Sequence, residues 1–594
     1  MASNSTTAAA GASSKTKKVA TLSMWAMAIM IVTNIVSMRG LASQAEYGYT
    51  SIFYYVLAAL IFLLPFSLVC AELASTYTKS GGLFRWVAEA FGPKIGWTAM
   101  YLEWQMVVIW FPAVLMFSSV CLAYIFWPES FDAALSKNVI YTLVAVLAIY
   151  WFATFNAFRG MKSANKLSLV GGLSGTIIPS AVLIIMGIVY LLTDGANQIT
   201  PISPEHPFWP DFSQFGTIVL AASIFLFFAG IEMQAVHVQQ MKNPARDYPK
   251  SVLIAIVIIL AIFIFGTLSI GFVIPGKDIN ILSSLLVAYH DLFAHIHCEW
   301  LGNVLALLLT FGAIGQVSVV IVAPSTGLLA VGRAGFLPRG LQKCNKNGIQ
   351  KPILIVQGIF VSILSLALIF LPSVESAYQV LGQMSTVIYL VMVIIIYCAF
   401  IRLRRTEPGA KGGFRVPFGN FGKWFTVILG IAGALLAMVL SFVPPSQINT
   451  GSPVIYVLII LLGSLVFCCV PFIIYSNRKP WWRDKGSSFY PFNWQIEGRH
   501  PSQVSKWAPG YQPTEQEVTD AINGDIEALL SPKASVEAMA KAAELADKEA
   551  DRAAQDAEYA KEAADAAVKA AQEAENSVLE SIDSKTDNDS QPTK

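Results

Sequence analysis

Eleven long stretches of this chain contain no Asp, Glu, Lys or Arg: 19–38, 47–71, 104–128, 138–158, 167–193, 212–231, 251–276, 300–332, 352–374, 376–401 and 424–477. A helix needs about 20 mostly apolar residues to cross the hydrocarbon core of a bilayer, where the backbone must satisfy its own hydrogen bonds. The last stretch is too long for one crossing and is divided by Pro444-Pro445 and the polar segment 446–452, so eleven stretches predict twelve helices. The composition agrees: 55% of residues are hydrophobic, 13% are charged and the mean hydropathy is +0.58. Soluble domains carry charge on about a quarter of their residues.

The net charge of +2 gives no footing for a nucleic-acid binder, and it is the sum of two opposed parts. From Gly486 onward the chain holds 10 basic and 21 acidic residues; the remainder holds 30 basic and 17 acidic. In the basic part the cations cluster between every second pair of helices. With the N-terminus inside, 27 basic residues lie in cytoplasmic segments and only Lys137 and Lys277 in outer loops, with Arg39 inside a span. Short loops rich in Lys and Arg stay cytoplasmic, which predicts both termini in the cytoplasm. Seven cysteines, mostly inside apolar stretches, predict no disulfide framework.

The predicted organisation is a disordered cytoplasmic arm over 1–18 without the marks of a cleaved signal peptide, followed by a twelve-helix transporter domain over 19–477. Then come an aromatic and Pro-rich cytoplasmic segment over 478–532, an Ala/Glu-rich helix over 533–580 and a disordered end over 581–594. The Ala/Glu-rich stretch lacks Gly and Pro; its 48 residues at 1.5 Å each would reach roughly 70 Å as one helix. It has too few bulky apolar residues for a leucine seam, leaving a solvated helix or an alanine-based association with itself or a partner. Many helices joined by short loops, without a folded extramembrane domain, are expected of a transporter. No His-rich metal motif, nucleotide loop or Ser/His/Asp arrangement marks an enzyme, and no cofactor or metal site is predicted.

Charged groups inside spans are expensive and become candidates for function. Glu72 ends the second stretch and Glu103 opens the third, both near cytoplasmic ends, where Lys79, Arg85 or Lys94 would pair with them. Arg39 and Glu232 differ, because each adjoins residues able to interrupt a helix: Ile35, Val36, Ser37 and Met38 in helix 1, and Phe228, Ala229, Gly230 and Ile231 in helix 6. Discontinuous helices in corresponding positions of two repeats expose backbone N–H groups to a substrate carboxylate and C=O groups to its ammonium. A spacing of five helices predicts an all-α membrane protein with two inverted five-helix repeats, helices 1–5 and 6–10, with helices 1 and 6 broken and helices 11–12 outside the repeats.

Several long motifs carry a family resemblance. They are LPFSLVCAELAS (64–75), GGLFRWVAEAFGPKIGW (81–97), FFAGIEMQAVHVQQMKNPARDYPKS (227–251) and GQVSVVIVAPSTGLLAVGRAGFLPRGL (315–341). Over about 20–475 the chain resembles the amino acid–polyamine–organocation (APC) superfamily, and within it the bacterial glutamate/γ-aminobutyrate antiporter group. The resemblance implies the same broken-helix fold, amino acid substrates, a bacterial inner-membrane location and an acidic role for Glu232. The chain also departs from that group. The usual Gly-Ser-Gly of helix 1 is absent, Met38-Arg39 stands where the antiporter has a Tyr-Glu pair, and Gln316 replaces an acidic residue in helix 8.

These substitutions leave several readings open. Arg39 either receives the side-chain carboxylate of glutamate or aspartate, or pairs with Glu232 or Glu46, or reaches the outer interface. Ser318 and Ser325 either support a sodium site or bond back to their own helix. Glu232, His237, Gln316, Arg499 and His500 are the candidates for coupling or gating; the tail around Arg499 and His500 either closes the cytoplasmic mouth, as the resemblance implies, or lies at the interface. The expected function is amino acid antiport of glutamate, γ-aminobutyrate or a relative by alternating access. The alternatives are a proton-coupled or facilitative permease for neutral amino acids, or a transporter-like sensor.

Overall fold

The computed structural model describes residues 23–77, 82–125, 129–160, 171, 173–193, 195–203, 208–210, 219–235, 241, 243–410, 412–479 and 482. All belong to one compact unit; a second unit, 488–500 with 506–594, lies outside the described residues, as do His237, Arg499, His500 and the whole 533–580 stretch. The regular elements among the described residues are helices.

Helices are numbered here by the twelve sequence segments they occupy. Ten are long and apolar enough to cross a bilayer, and a bent pair in helix 1 makes eleven. They are helix 2 (Thr50–Thr76), helix 3 (Pro93–Ala123), helix 4 (Val139–Ala157), helix 5 (Ser174–Leu192), helix 7 (Arg246–Val273), helix 8 (Trp300–Phe336), helix 9 (Lys351–Phe370), helix 10 (Val374–Thr406), helix 11 (Gly419–Ser441) and helix 12 (Pro453–Ser476). The sixth segment holds only a shorter apolar helix, Ser223–Met233, so twelve full crossings are not counted among the described residues.

Helix 3 corrects one expectation. It begins at Pro93, directly after Gly92, and not at 104, because a proline at the first helical position costs no hydrogen bond. The charge-free stretch stopped at Glu103, but the helix does not; Glu103 is a buried residue ten positions inside it. Helix 3 is buried along nearly its whole length and packs against helices 4, 8, 9, 10 and 12. Helix 10 starts from a Ser373/Ser376 capping box and ends on Arg404 and Arg405, which complement the helix dipole.

Between apolar helices in lipid, interhelical hydrogen bonds add specificity that hydrophobic burial cannot supply. Trp104 of helix 3 donates to Gln357 Oε1 of helix 9 at 2.8 Å, and Gln357 Nε2 donates onward to Tyr150 of helix 4 at 3.1 Å. Tyr55 of helix 2 meets Thr267 of helix 7 at 3.0 Å. Where helices 2 and 10 end, Glu72 is clasped by Arg404, with Nε 2.5 Å from Oε1 and Nη2 donating to Oε2 at 2.7 Å. The Val416 N–H completes that carboxylate's shell at 2.6 Å, while Ser75 and Tyr77 bond to Phe414 and Glu407 of the same connection. Glu72 is thus paired, with Arg404 as its partner. Arg85 instead forms a buried ion pair with Glu89 one turn along its own short helix.

Candidate functional site

Helix 1 runs from Met24 to Ile35 on a Ser23 cap, whose side chain accepts from the Ala26 N–H. Val36 (φ −65°, ψ 121°) and Ser37 (φ −134°, ψ 123°) are then extended, and a 3-10 turn at Met38–Gly40 leads into the helix Leu41–Ala45. The two pieces differ in direction by 51°. In helix 6, Ser223–Phe227 stops at a turn formed by Phe228, Ala229 and Gly230, and Ile231–Ala235 resumes the helix. Gly230 has φ +103°, a conformation that a side chain resists, so the glycine sets this break. Each interruption leaves carbonyls of one helix end and N–H groups of the next without intrahelical partners.

The two breaks meet. Ile35, Ser37 and Arg39 from helix 1, Ala229 and Gly230 from helix 6, and Gln316 from helix 8 line one cavity, together with Met106, Val107 and Trp110 of helix 3 and Phe227 and Met233 of helix 6. The space enclosed between these residues is small, about 70 Å³, and the cavity opens outward from there. Gly40 matters to its shape: the Phe227 ring occupies the space a β-carbon at that position would need, so the aromatic from helix 6 closes directly on the helix-1 break.

Arg39 is 4% exposed. Its guanidinium carbon lies 4.8 Å from the centre of the Trp110 ring and 5.9 Å from that of Phe227. No hydrogen bond or ion pair holds it among the described residues, and its Nε is buried without a partner. Tyr378 of helix 10 is an ionisable group within its electrostatic reach. Among the described residues Arg39 therefore pairs with neither Glu232 nor Glu46.

Glu232 is also buried. One oxygen accepts from the Gly230 N–H at 3.2 Å and from the Tyr389 hydroxyl of helix 10 at 3.3 Å; the other has no partner among the described residues. The groups within electrostatic reach of this carboxylate are Cys70 of helix 2, Glu103 of helix 3, Tyr248 of helix 7 and Tyr389, all of them acids.

The other expected residues play different parts. Val36, Met38, Phe228 and Ile231 are buried but do not line the cavity; Phe228 stacks on Phe263, and Met38 sulfur accepts from the Ser180 hydroxyl of helix 5. Ser318 bonds back to Ile314, and Ser325 to Ile321 and Val322, with Gln350 donating to Ser325. Trp110, Met106 and Phe227 were not expected, because an aromatic or Met inside an apolar stretch carries no polar signal to single it out. The helical spacing of Glu103, Val107 and Trp110 is the trace they leave in the sequence.

Comparison with known proteins fixes the family. A family model described as amino acid permease matches residues 22–465. An uncharacterized transporter of Legionella pneumophila is 34% identical over 459 residues, covering 77% of this chain and 96% of that one. The glutamate/γ-aminobutyrate antiporter of Lactococcus lactis is 30% identical over 429 residues, covering 72% and 84%. The aspartate/glutamate permease of the same species is 26% identical over 456 residues, covering 72% and 88%. The long apolar helices, the two facing breaks and these matches agree: the chain belongs to the amino acid permease family of the APC superfamily, a multi-pass membrane transporter of amino acids and not an enzyme.

Proposed function

We propose that this transporter exchanges glutamate against γ-aminobutyrate or a related amino acid across the bacterial inner membrane, with both termini in the cytoplasm. The single observation behind this reading is Arg39: a buried guanidinium, facing the cavity between the two breaks, with no acid paired to it among the described residues. A cation desolvated without a partner is unfavourable, so a ligand that supplies a carboxylate gains a charge-assisted, two-pronged contact that a neutral ligand lacks. The names of the Lactococcus relatives point to the same substrates.

The backbone supplies the rest of the ligand's needs. The α-carboxylate would take N–H groups that open the second halves of helices 1 and 6, at helix 6 in exchange with the Glu232 carboxylate, and the ammonium carbonyls that close the first halves. Arg39 would take the side-chain carboxylate, and Gln316 would offer its amide at the helix-8 wall. Glu232 sits behind the helix-6 break, bonded through Gly230 to the backbone that would hold the ligand, so its protonation state would reach the binding loop directly. The acidic positions that this chain lacks are replaced by groups that attract anions or leave them unopposed.

The test is counterflow in proteoliposomes loaded with γ-aminobutyrate, glutamate, glutamine or no amino acid, at acidic and neutral pH. Uptake of labelled glutamate should require an internal amino acid. Arg39→Gln should cut the preference for glutamate over glutamine about tenfold to a hundredfold, the value of a hydrogen bond to a charged group. Equal uptake into empty vesicles would end the exchange reading. Unchanged discrimination in Arg39→Gln would end the assignment of Arg39.

A further inference from the structure

Arg39 raises a question that its substrate contact does not answer: what keeps an unpaired buried guanidinium open to a ligand, rather than bonded to a nearby carbonyl or to Glu232. The residues against it are aromatic. Trp110 from helix 3 lies at 4.8 Å and Phe227 from helix 6 at 5.9 Å, and Gly40 leaves the room that Phe227 fills. A guanidinium attracted to a ring through its flat face is held without using its N–H donors, which radiate from its edge. Its Nε is buried and makes no hydrogen bond among the described residues.

We infer that Trp110 is a specificity-determining positioning residue: its ring holds Arg39 by the face, presenting an unquenched N–H edge to an anionic substrate group in the cavity. The inference rests on the reading of Arg39 given above. Phe227 supports the clamp from the opposite break, so helices 1, 3 and 6 each contribute one of its members. Trp110 itself lines the cavity. Its own contact with a ligand would be apolar and would not distinguish glutamate from glutamine, which have the same shape. Its effect through Arg39 would distinguish them.

The experiment replaces Trp110 in the full chain with a series of tryptophans carrying increasing numbers of ring fluorines, which drain the π face while nearly keeping its shape. Exchange KM is measured in proteoliposomes for glutamate and for glutamine. KM for glutamate should rise with each fluorine, towards a limit of about thirtyfold for loss of a desolvated cation–π contact, while KM for glutamine stays level. Trp110→Phe should fall early in that series and Trp110→Leu at its end. In an Arg39→Gln background the fluorine dependence should vanish. A flat glutamate KM across the series, or a parallel rise for both substrates, overturns the inference. If Arg39→Gln removes discrimination while the fluorine series is flat, the clamp alone is wrong; if Arg39→Gln leaves discrimination intact, the assignment of Arg39 has failed first.

Discussion

Arg39 and Arg404 are both arginines taken almost wholly out of solvent, and their surroundings are opposite. Arg404 meets Glu72 through two nitrogens, and the carboxylate is further satisfied by the Val416 N–H. Arg39 meets two aromatic rings and, among the described residues, no acid. A buried cation with a matched, saturated anion has nothing left to offer a ligand, so it joins elements together: here the ends of helices 2 and 10 and the connection that follows. A buried cation without an anion keeps that capacity, and it lines a cavity. Burial alone does not distinguish the structural charge from the receptive one; the state of the partner does.

The comparison is broken most directly at the clasp. Removing one member of a buried, bonded pair strands the other, at a cost of about 3–5 kcal/mol. Arg404→Ala or Glu72→Ala should therefore lower the melting temperature of the purified protein sharply and reduce its yield, and the Glu72→Met/Arg404→Leu double variant should recover part of the loss. Arg39→Gln should do the reverse: no fall in melting temperature, since an unpaired buried charge is relieved, together with the loss of acidic selectivity described above. If Arg39→Gln melts as early as Arg404→Ala, the two arginines are not different in kind.

A smaller effect is expected at Glu232. The ionisable groups within its electrostatic reach among the described residues, Cys70, Glu103, Tyr248 and Tyr389, are all acids, so none of these holds its charge in place. Glu232→Gln imposes the neutral form and should flatten the pH profile of exchange between acidic and neutral pH. A profile unchanged from the parent would place the pH dependence elsewhere.

Smallest is the change at Glu46, in the turn between helices 1 and 2. Burial pushes its carboxyl up to about 7, against the opposing effect of a hydrogen bond from Gln447. An acid that is weaker when folded binds its proton more tightly in the native state, so its contribution to stability is complete below the unfolded value of 4.5 and is lost as pH rises towards 7. Thermal scans should show Glu46→Gln with a shallower decline in melting temperature across that window. An identical slope would mean that the carboxyl is relaxed by solvent.

Much of the fold is legible in the chain because lipid simplifies the problem. A segment without charge and about 20 residues long has few structures open to it, and Gly230 beside Glu232 marks a place where a helix can stop. The site was legible only in part. Arg39, Ser37, Gly230 and Gln316 were visible as polar or flexible groups in apolar surroundings, and the structure brings them to one cavity. Trp110, Met106 and Phe227 resemble every other apolar residue of their helices until their neighbours are known. Glu103 was misplaced because a charge was taken as a helix boundary when Gly92-Pro93 held the stronger signal.

The sequence by itself determined that the chain crosses a membrane many times, where two helices break, and that an arginine and a glutamate sit in costly positions beside the breaks. Each of these follows from local chemistry: the solvation of charge, the length of a crossing and the backbone freedom of glycine. Only the tertiary structure decided which buried charge is quenched. Glu72 and Arg404 are 332 positions apart, and Arg39 is separated from Trp110 and Phe227 by whole helices. Partnership depends on how helices pack across one another, and no local pattern in the chain records it.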